Sequence, residues 1–393
     1  LKNKIIEAIE AHSGVITETA KFIGSHPELG NEEFLASSRL IDEFTKFGFH
    51  IEKEPLRIPT AFIASYASSK PGPVIAFLCE YDALPELGHA CGHHLIAAMG
   101  LAAAVGLKAV IDEIGGTIRV YGTPAEETEG AKVLMADAGM FDDVDAAMMA
   151  HPYHSHVKSG TSLAMDALQF DFHGKAAHAA ASPHEGINAL DGIIQLFNAV
   201  SALRQQLPSH VRIHGIVANG GKAPNIIPDY ASAQFYVRSA NRPFTNETVQ
   251  KVLRCAEGAA LQTGCRMESF HYQLSYDELI TNSALSELFT QSLEYLGVSS
   301  GAIQEPRKDS GSLDLGNVSR RCPAVHPYVK VADGDYSLHT PEFRDAAMLP
   351  KAFDGMLLGA KALALSAYEV MTRPDLMQRI KDEFAWSLQN PQE

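Results

Sequence analysis

The chain has 393 residues, 46 % hydrophobic and 20 % charged, with 30 Gly and 20 Pro scattered without period. That mix excludes collagen and disorder and fits about two to three folded domains. The 32 Lys and Arg against 47 Asp and Glu leave a formal charge of -15, which repels nucleic-acid phosphates and anionic lipid. No basic face offsets it, since the Arg320–Arg321 pair is too short to track a nucleic acid.

Residues 1–50 place apolar side chains at helical intervals, first Ile5, Ile6 and Ile9, then Phe34, Ile41 and Phe44. Two surface helices are expected, with "HPELGNEE" as the turn between them. The opening "LKNKIIEAIEAHSG" carries charges and no apolar signal core. Five cysteines, Cys79, Cys91, Cys255, Cys265 and Cys322, are an odd number at wide spacing. Together these point to a reducing, cytoplasmic setting instead of a disulfide framework.

Val74 to Leu78 reads as a buried strand, followed by a loop dense in functional groups and a helix from about His94. The apolar run Leu95 to Val110 contains Gly100, Gly106 and Lys108 and, at about 16 residues, is too short for a membrane span. It reads as a buried helix. "GTIRVYGTPAEETEG" and "DAAMMAHPYHSH" repeat the order of strand then polar loop. Three such repeats with helices between them predict an α/β layer whose loops share one sheet edge.

After Thr161 the texture becomes β-α-β-β-α, and beyond about residue 280 come a helix, the loop "SGSLDLGNVS", "HPYVKV", the "YSLHTPEF" loop and a long C-terminal helix. One domain is therefore expected over 1–168 and 281–393, with a second inserted over 169–280.

The predicted strand-end loops deliver Cys91 and His93, then Glu126 and Glu127, then His151, while a distant loop supplies His339. Thiolate, imidazole and carboxylate together select zinc, with manganese, cobalt or nickel as alternatives. Adjacent Glu126 and Glu127 can divide labour, one holding a metal while the other takes a proton from water. Asp82 can accept a hydrogen bond from a ligating imidazole and fix its tautomer. Arg238 lies in the alternating strand "FYVRS", where a cation can pair with a substrate carboxylate. Ser310 to Asn317 is glycine-rich but lacks GKS or GKT, which argues against a nucleotide loop and leaves it as a source of backbone donors.

"CEYDALPELGHACGHHLIAAMG", "GTPAEETEGAK", "VDAAMMAHP", "FHGKAAHAAASPHEGINALDG", "GGKAPNIIPDYASAQFYVRS", "GSLDLGNVS" and "HTPEF" occur in that order. This set resembles the metal-dependent aminoacylase and carboxypeptidase family, in particular its amidohydrolase branch. That branch includes aminobenzoyl-glutamate hydrolases and a dipeptidase-like subgroup acting on β-alanyl-lysine-type dipeptides. The resemblance implies a zinc-peptidase-like catalytic domain, a mixed sheet flanked by helices, interrupted by a ferredoxin-like α+β lid that also forms a homodimer.

It further implies two divalent metal ions per subunit, with Cys91, His93, Glu127, His151 and His339 as ligands and Glu126 as general base. Asp82 matches the residue supporting the cluster. His178 matches a histidine that stabilises the oxyanion, often across the dimer, and Asn225 and Arg238 match substrate-binding positions. Glu80 stands where the peptidase branches carry a metal-binding histidine, a departure that fits the amidohydrolase branch. The implied reaction is hydrolysis of an amide bond in a dipeptide or N-acyl amino acid. An aminobenzoyl-glutamate hydrolase and a non-catalytic binding protein on the same fold are the alternatives. Neither a nucleic acid nor a membrane is an expected partner.

Overall fold

The structure, a computed structural model, describes residues 1–306 and 311–390. Its contacts divide the chain into two units, one of residues 1–161 with 279–390 and one of Ser162–Glu278. The boundary expected at 168 falls inside the strand Ala164–His173 and is corrected to 161/162. That whole strand pairs with Tyr230–Ser239 and with Arg266–His271, so it cannot be divided between two cores. The second junction lies at 278/279, two residues before the expected one.

The first unit is built on a six-stranded sheet in the order His50–Lys53, Phe62–Ala67, Thr117–Gly122, Val74–Cys79, Ala146–Met148 and Ala324–Val325. The first two junctions are antiparallel and the remaining three parallel. Val74–Cys79 is a continuous apolar run because a central parallel strand is covered on both faces. One covering element is the helix His93–Ile114. That helix is long and apolar enough to cross a membrane, yet Leu95, Met99, Leu101, Leu107 and Ile111 are all fully buried in this unit's core. Burying each such side chain contributes about 1.5–3 kcal/mol, so the hydrophobicity is accounted for by the core.

The N-terminal stretch forms three helices, Lys2–Ala11, Ser13–Ser25 and Phe34–Lys46, where two were expected. The first pattern breaks at His12, whose backbone leaves the helical region while the apolar stripe of Ile5, Ile9, Ile16 and Ile23 continues into the core. The C-terminal helix ends at Thr372, and Pro374 opens another, Pro374–Gln389. A small sheet orders Ile303–Gln304, His156–Val157, Tyr328–Lys330 and His151–Tyr153, with His151 paired to Tyr328.

The second unit is a four-stranded antiparallel sheet, ordered Arg266–His271, Ala164–His173, Tyr230–Ser239 and Arg212–Asn219, with helices Ala189–Leu203 and Arg242–Thr263. Its β-α-β-β-α-β sequence is the expected ferredoxin-like arrangement. Phe170, Phe172, Ala233, Phe235 and Val237 alternate along two strands and fill its core with Ile193, Leu196 and Val252.

Candidate metal centre

Three parallel strands of the first unit end side by side, and each runs into a loop carrying potential donors. After Cys79 come Glu80 and Asp82; after Gly122 come Glu126 and Glu127; after Met148 comes His151. This is the sheet edge at which α/β folds place ligands. Cys91 and His93 flank Gly92, which caps the helix His93–Ile114 with φ 79°. A side chain there would lie 2.6 Å from Pro152 Cγ, so the left-handed bend and the close approach to the His151 loop both require glycine. His339 arrives from the distant loop and is held beside Cys91 by its own N–H donating to Ala90 O at 3.0 Å.

The donor atoms converge. Cys91, His93 and His151 form one group with ligand atoms within 4.8 Å of one another, and Cys91, Glu127 and His339 form a second. Cys91 belongs to both, with Sγ 3.5 Å from His151 Nε2. His93 Nε2 lies 3.8 Å from Glu127 Oε1 and 4.0 Å from Glu126 Oε2. All five expected ligands and the expected base therefore share one place. Asp82 lies beside the group: His93 Nδ1 donates to its Oδ1 at 2.9 Å, and the Glu127 backbone N–H donates to its Oδ2 at 2.9 Å.

Tautomers follow from partners that can only accept. His93 gives its Nδ1 proton to Asp82, and His151 gives its own to Pro152 O at 2.8 Å. Both rings thus direct Nε2 into the cluster. His93 Nε2 and Glu127 Oε1 are buried there without a hydrogen-bond partner in the described structure. His339 Nε2 is 3.1 Å from that Glu127 oxygen, but the alignment is not that of a hydrogen bond. Two orphaned buried donor atoms facing a thiol and carboxylates fit a divalent cation.

The electrostatics separate the two adjacent carboxylates. Burial raises Glu126 well above the carboxylate range, helped by Glu127, Glu80 and Asp314. Burial also opposes ionisation of Glu127, but His339 and His93 outweigh it and hold its pKa low. Burial lowers His151 to about 3, with His326 and His93 adding, so the ring is neutral. Burial works against a charged His93 as well; Asp82 and Cys91 outweigh it and raise its pKa. The negative field that favours a proton on His93 equally favours a metal cation in its place.

The cluster forms the floor of a cavity of about 250 Å³ within the first unit, whose walls include Thr161, Leu279, Ser312, His326, Tyr328 and Leu338. Gly311, Ser312 and Leu313 of the glycine-rich loop reach it, while Ser310 lies outside the described residues. His178, Asn225 and Arg238 belong to the second unit. There His178 and Asn225 are neighbours, joined by Ala179 N–H donating to Asn225 O at 3.1 Å, and both are exposed. Arg238 sits on the sheet face away from the helices, its guanidinium 5.3 Å from the Tyr236 ring centre.

Sequence reading assigned no role to Lys132, Asp314 or His326. Lys132 Nζ lies 2.7 Å from both Glu80 Oε1 and Asp314 Oδ1, wholly buried beneath the cluster. His326 is buried beside His151, with ring centres 5.5 Å apart. The available signal was a lysine opening an apolar helical run, "AKVLMAD".

A hydrolase of C–N bonds that depends on metal is the class this fold and donor set define. The chain belongs to the M20 family of metal-dependent peptidases and amidohydrolases. It is 38 % identical over 414 residues to the Xaa-Arg dipeptidase of Mus musculus, covering all of this chain and 94 % of that protein. It is also 29 % identical to a p-aminobenzoyl-glutamate hydrolase polypeptide of Escherichia coli, covering 96 % of this chain and 94 % of that one. Residues 165–260 match the family profile described as peptidase dimerisation domain. Among solved structures, a dinuclear metal binding peptidase of the M20 family from Bacillus subtilis superposes with a TM-score of 0.66 at 20 % identity, over 92 % of this chain and all of that one. The fold and the family resemblance read from the motifs are thereby shown.

Proposed function

We propose that this chain hydrolyses the amide bond of a dipeptide, using two divalent cations held by Cys91, His93, Glu127, His151 and His339, with Glu126 as general base. The observation that carries the reading is the convergence of those five donors and Glu126, of which Cys91, Glu126, Glu127, His151 and His339 line one cavity. Zinc suits the mixed thiolate, imidazole and carboxylate set, with manganese, cobalt and nickel as alternatives. Bound there, such ions supply Lewis acidity toward the scissile carbonyl and acidify a water near neutral pH.

Glu126 accepts the proton of the attacking water and passes it to the amide nitrogen, which departs only as an amine. Asp82 fixes the His93 ring with Nε2 inward and, through the Glu127 backbone, ties two donor loops together. His178 supplies a donor to the developing oxyanion, and Asn225 and Arg238 receive the backbone and carboxylate of the substrate. The second unit forms a homodimer through which His178 reaches the partner's site. Its match to a dimerisation domain and the exposed apolar Ile216 and Val217 on the edge strand Arg212–Asn219 support that reading. The five unpaired cysteines support a cytoplasmic setting.

The name of the mouse relative makes dipeptides with C-terminal arginine the first substrates to test. The Escherichia coli relative favours aminobenzoyl-glutamate as the second reading. Metal-replete protein is assayed against dipeptides, N-acyl amino acids and aminobenzoyl-glutamate. Turnover of a dipeptide above the others is expected; turnover confined to aminobenzoyl-glutamate selects the second reading, and none in any group removes the hydrolase reading.

A further inference from the structure

The turn "HPELGNEE" ends in a glutamate with no part in the chemistry above. Glu33 is fully buried, and its carboxylate reaches across the sheet edge. Oε2 accepts from Thr60 Oγ1 at 2.8 Å, and Oε1 accepts from the backbone N–H of Ala125 at 2.8 Å. Ala125 immediately precedes Glu126 and has φ 60°, the left-handed region that a residue with a β-carbon avoids unless its surroundings impose it. The hydrogen bond to Glu33 is one such imposition.

Two further contacts join the same two segments, and a third reaches the neighbouring loop. Gly30 packs so closely that a β-carbon there would lie 2.9 Å from Ala125 Cβ. Asn31 Nδ2 donates to Glu129 Oε2. Glu28 O accepts from Ala83 N–H at 2.8 Å, beside Asp82. The turn between two surface helices therefore clasps the loop that bears Glu126 and Glu127 at Ala125 and Glu129, and touches the neighbouring loop at Ala83.

We propose that Glu33 is a positioning residue for the base: through the Ala125 N–H it holds the left-handed turn that aims Glu126 at the attacking water. The proposal rests on Glu126 being the base. Its consequence is kinetic. A base displaced by about 1 Å costs about 10²-fold in rate while binding is kept. Glu33 touches neither the donor atoms nor the cavity wall, so its loss leaves metal content and substrate affinity in place.

The test uses the full chain loaded with zinc and the best substrate of the panel above. Glu33→Ala is expected to lower kcat by about 10²-fold with KM changed by less than about threefold. Metal per chain, read by elemental analysis, stays at the wild-type value. Glu33→Gln, whose amide oxygen can still accept from Ala125, restores kcat to within about fivefold of wild type. In a Glu126→Gln background the Glu33→Ala penalty disappears, because a residue acting through the base has nothing left to position.

A Glu33→Ala enzyme within twofold of wild type in kcat overturns the proposal. So does the same fractional loss in the Glu126→Gln background, which marks a general structural role. If Glu33→Ala does not fold, Gly30→Ala carries the test, since its β-carbon would run into Thr128 Oγ1 and lie 2.9 Å from Ala125 Cβ and so press on the same turn, and an unchanged kcat there overturns the proposal. A wild-type chain that turns over nothing removes the hydrolase reading and this one together, whereas wild-type activity with an indifferent Glu33 removes only the positioning role.

Discussion

Lys132 sets a sharp test of how the site is supported. Its ammonium lies 2.7 Å from Glu80 Oε1 and 2.7 Å from Asp314 Oδ1, and none of the three side chains exceeds 4 % exposure. Lys132→Met keeps the aliphatic stem and removes the charge, leaving two buried carboxylates without their cation. Removing one partner of a buried ion cluster costs about 3–5 kcal/mol, because the desolvation of the remaining charges is no longer offset. At about 2.1 cal/mol/K of unfolding entropy per residue, a chain of this size then loses about 4–6 °C in Tm.

The pH dependence gives the same prediction a sign. Burial already raises Asp314 to about 6 in the presence of Lys132, whose proximity opposes that rise. Without Lys132 the folded carboxyl binds protons more tightly still, so the folded variant holds more protons than its unfolded chain. Stability of the variant then falls as pH rises, and its deficit against wild type widens from about pH 5 to pH 8. Urea denaturation of metal-free protein across that range reads the gap. A deficit under about 1 kcal/mol at pH 8, or one that narrows with rising pH, would refute the assignment of Lys132 as the charge that these carboxylates require.

Three other outcomes are expected. Glu126→Gln keeps its metal but loses about 10²- to 10⁴-fold in kcat; metal loss together with unfolding would make Glu126 a structural residue instead. Cys91→Ala, which removes the atom common to both donor groups, lowers metal stoichiometry after dialysis, and an unchanged metal content would sink the ligand role. Glu33 is raised by burial to about 7, against the opposing hydrogen bonds from Thr60 and Ala125 and with Asp82 adding to the rise. As pH climbs from 4.5 to about 7, wild type therefore loses about 3 kcal/mol relative to Glu33→Gln; a difference between the two that stays flat over that window contradicts this.

What could be read from the chain, and what could not, divides along physical lines. Val74–Cys79, Thr117–Gly122 and Ala146–Met148 announce themselves as apolar runs before polar loops, and that pattern alone places Cys91, His93, Glu126, Glu127 and His151 at one sheet edge. Asp82 was legible because an imidazole ligand needs an acceptor on its other nitrogen. Lys132 and Asp314 were not, since their pairing spans 182 residues and neither neighbourhood shows that the lysine is buried. Glu33 was hidden for a related reason. A second glutamate in a polar turn looks solvated until the fold sets it against the Ala125 N–H, 92 residues away. The split of the first helix at His12 left no mark because the apolar spacing runs through it.

The same hydrogen bonds bear on how the site is assembled. Left-handed backbone occurs at Gly92 between Cys91 and His93, at Ala125 before Glu126, and at His339 itself. Gly92 adopts it without cost, whereas at Ala125 and His339, which carry a β-carbon, it persists only where the surroundings over-determine it. Protein groups supply that constraint at each loop: Asp82 holds His93 and the Glu127 N–H, Glu33 holds Ala125, and Ala90 O holds the His339 N–H. The three donor loops are thus each tied down by a hydrogen bond from the protein itself. Carboxylates crowd the same space, with Glu80, Glu126, Glu127 and Asp314 around the donors and Lys132 the buried lysine among them. Rigid placement keeps mutually repelling groups together, and it is this local acidity, more than the net charge of the whole chain, that favours a cation at the sheet edge.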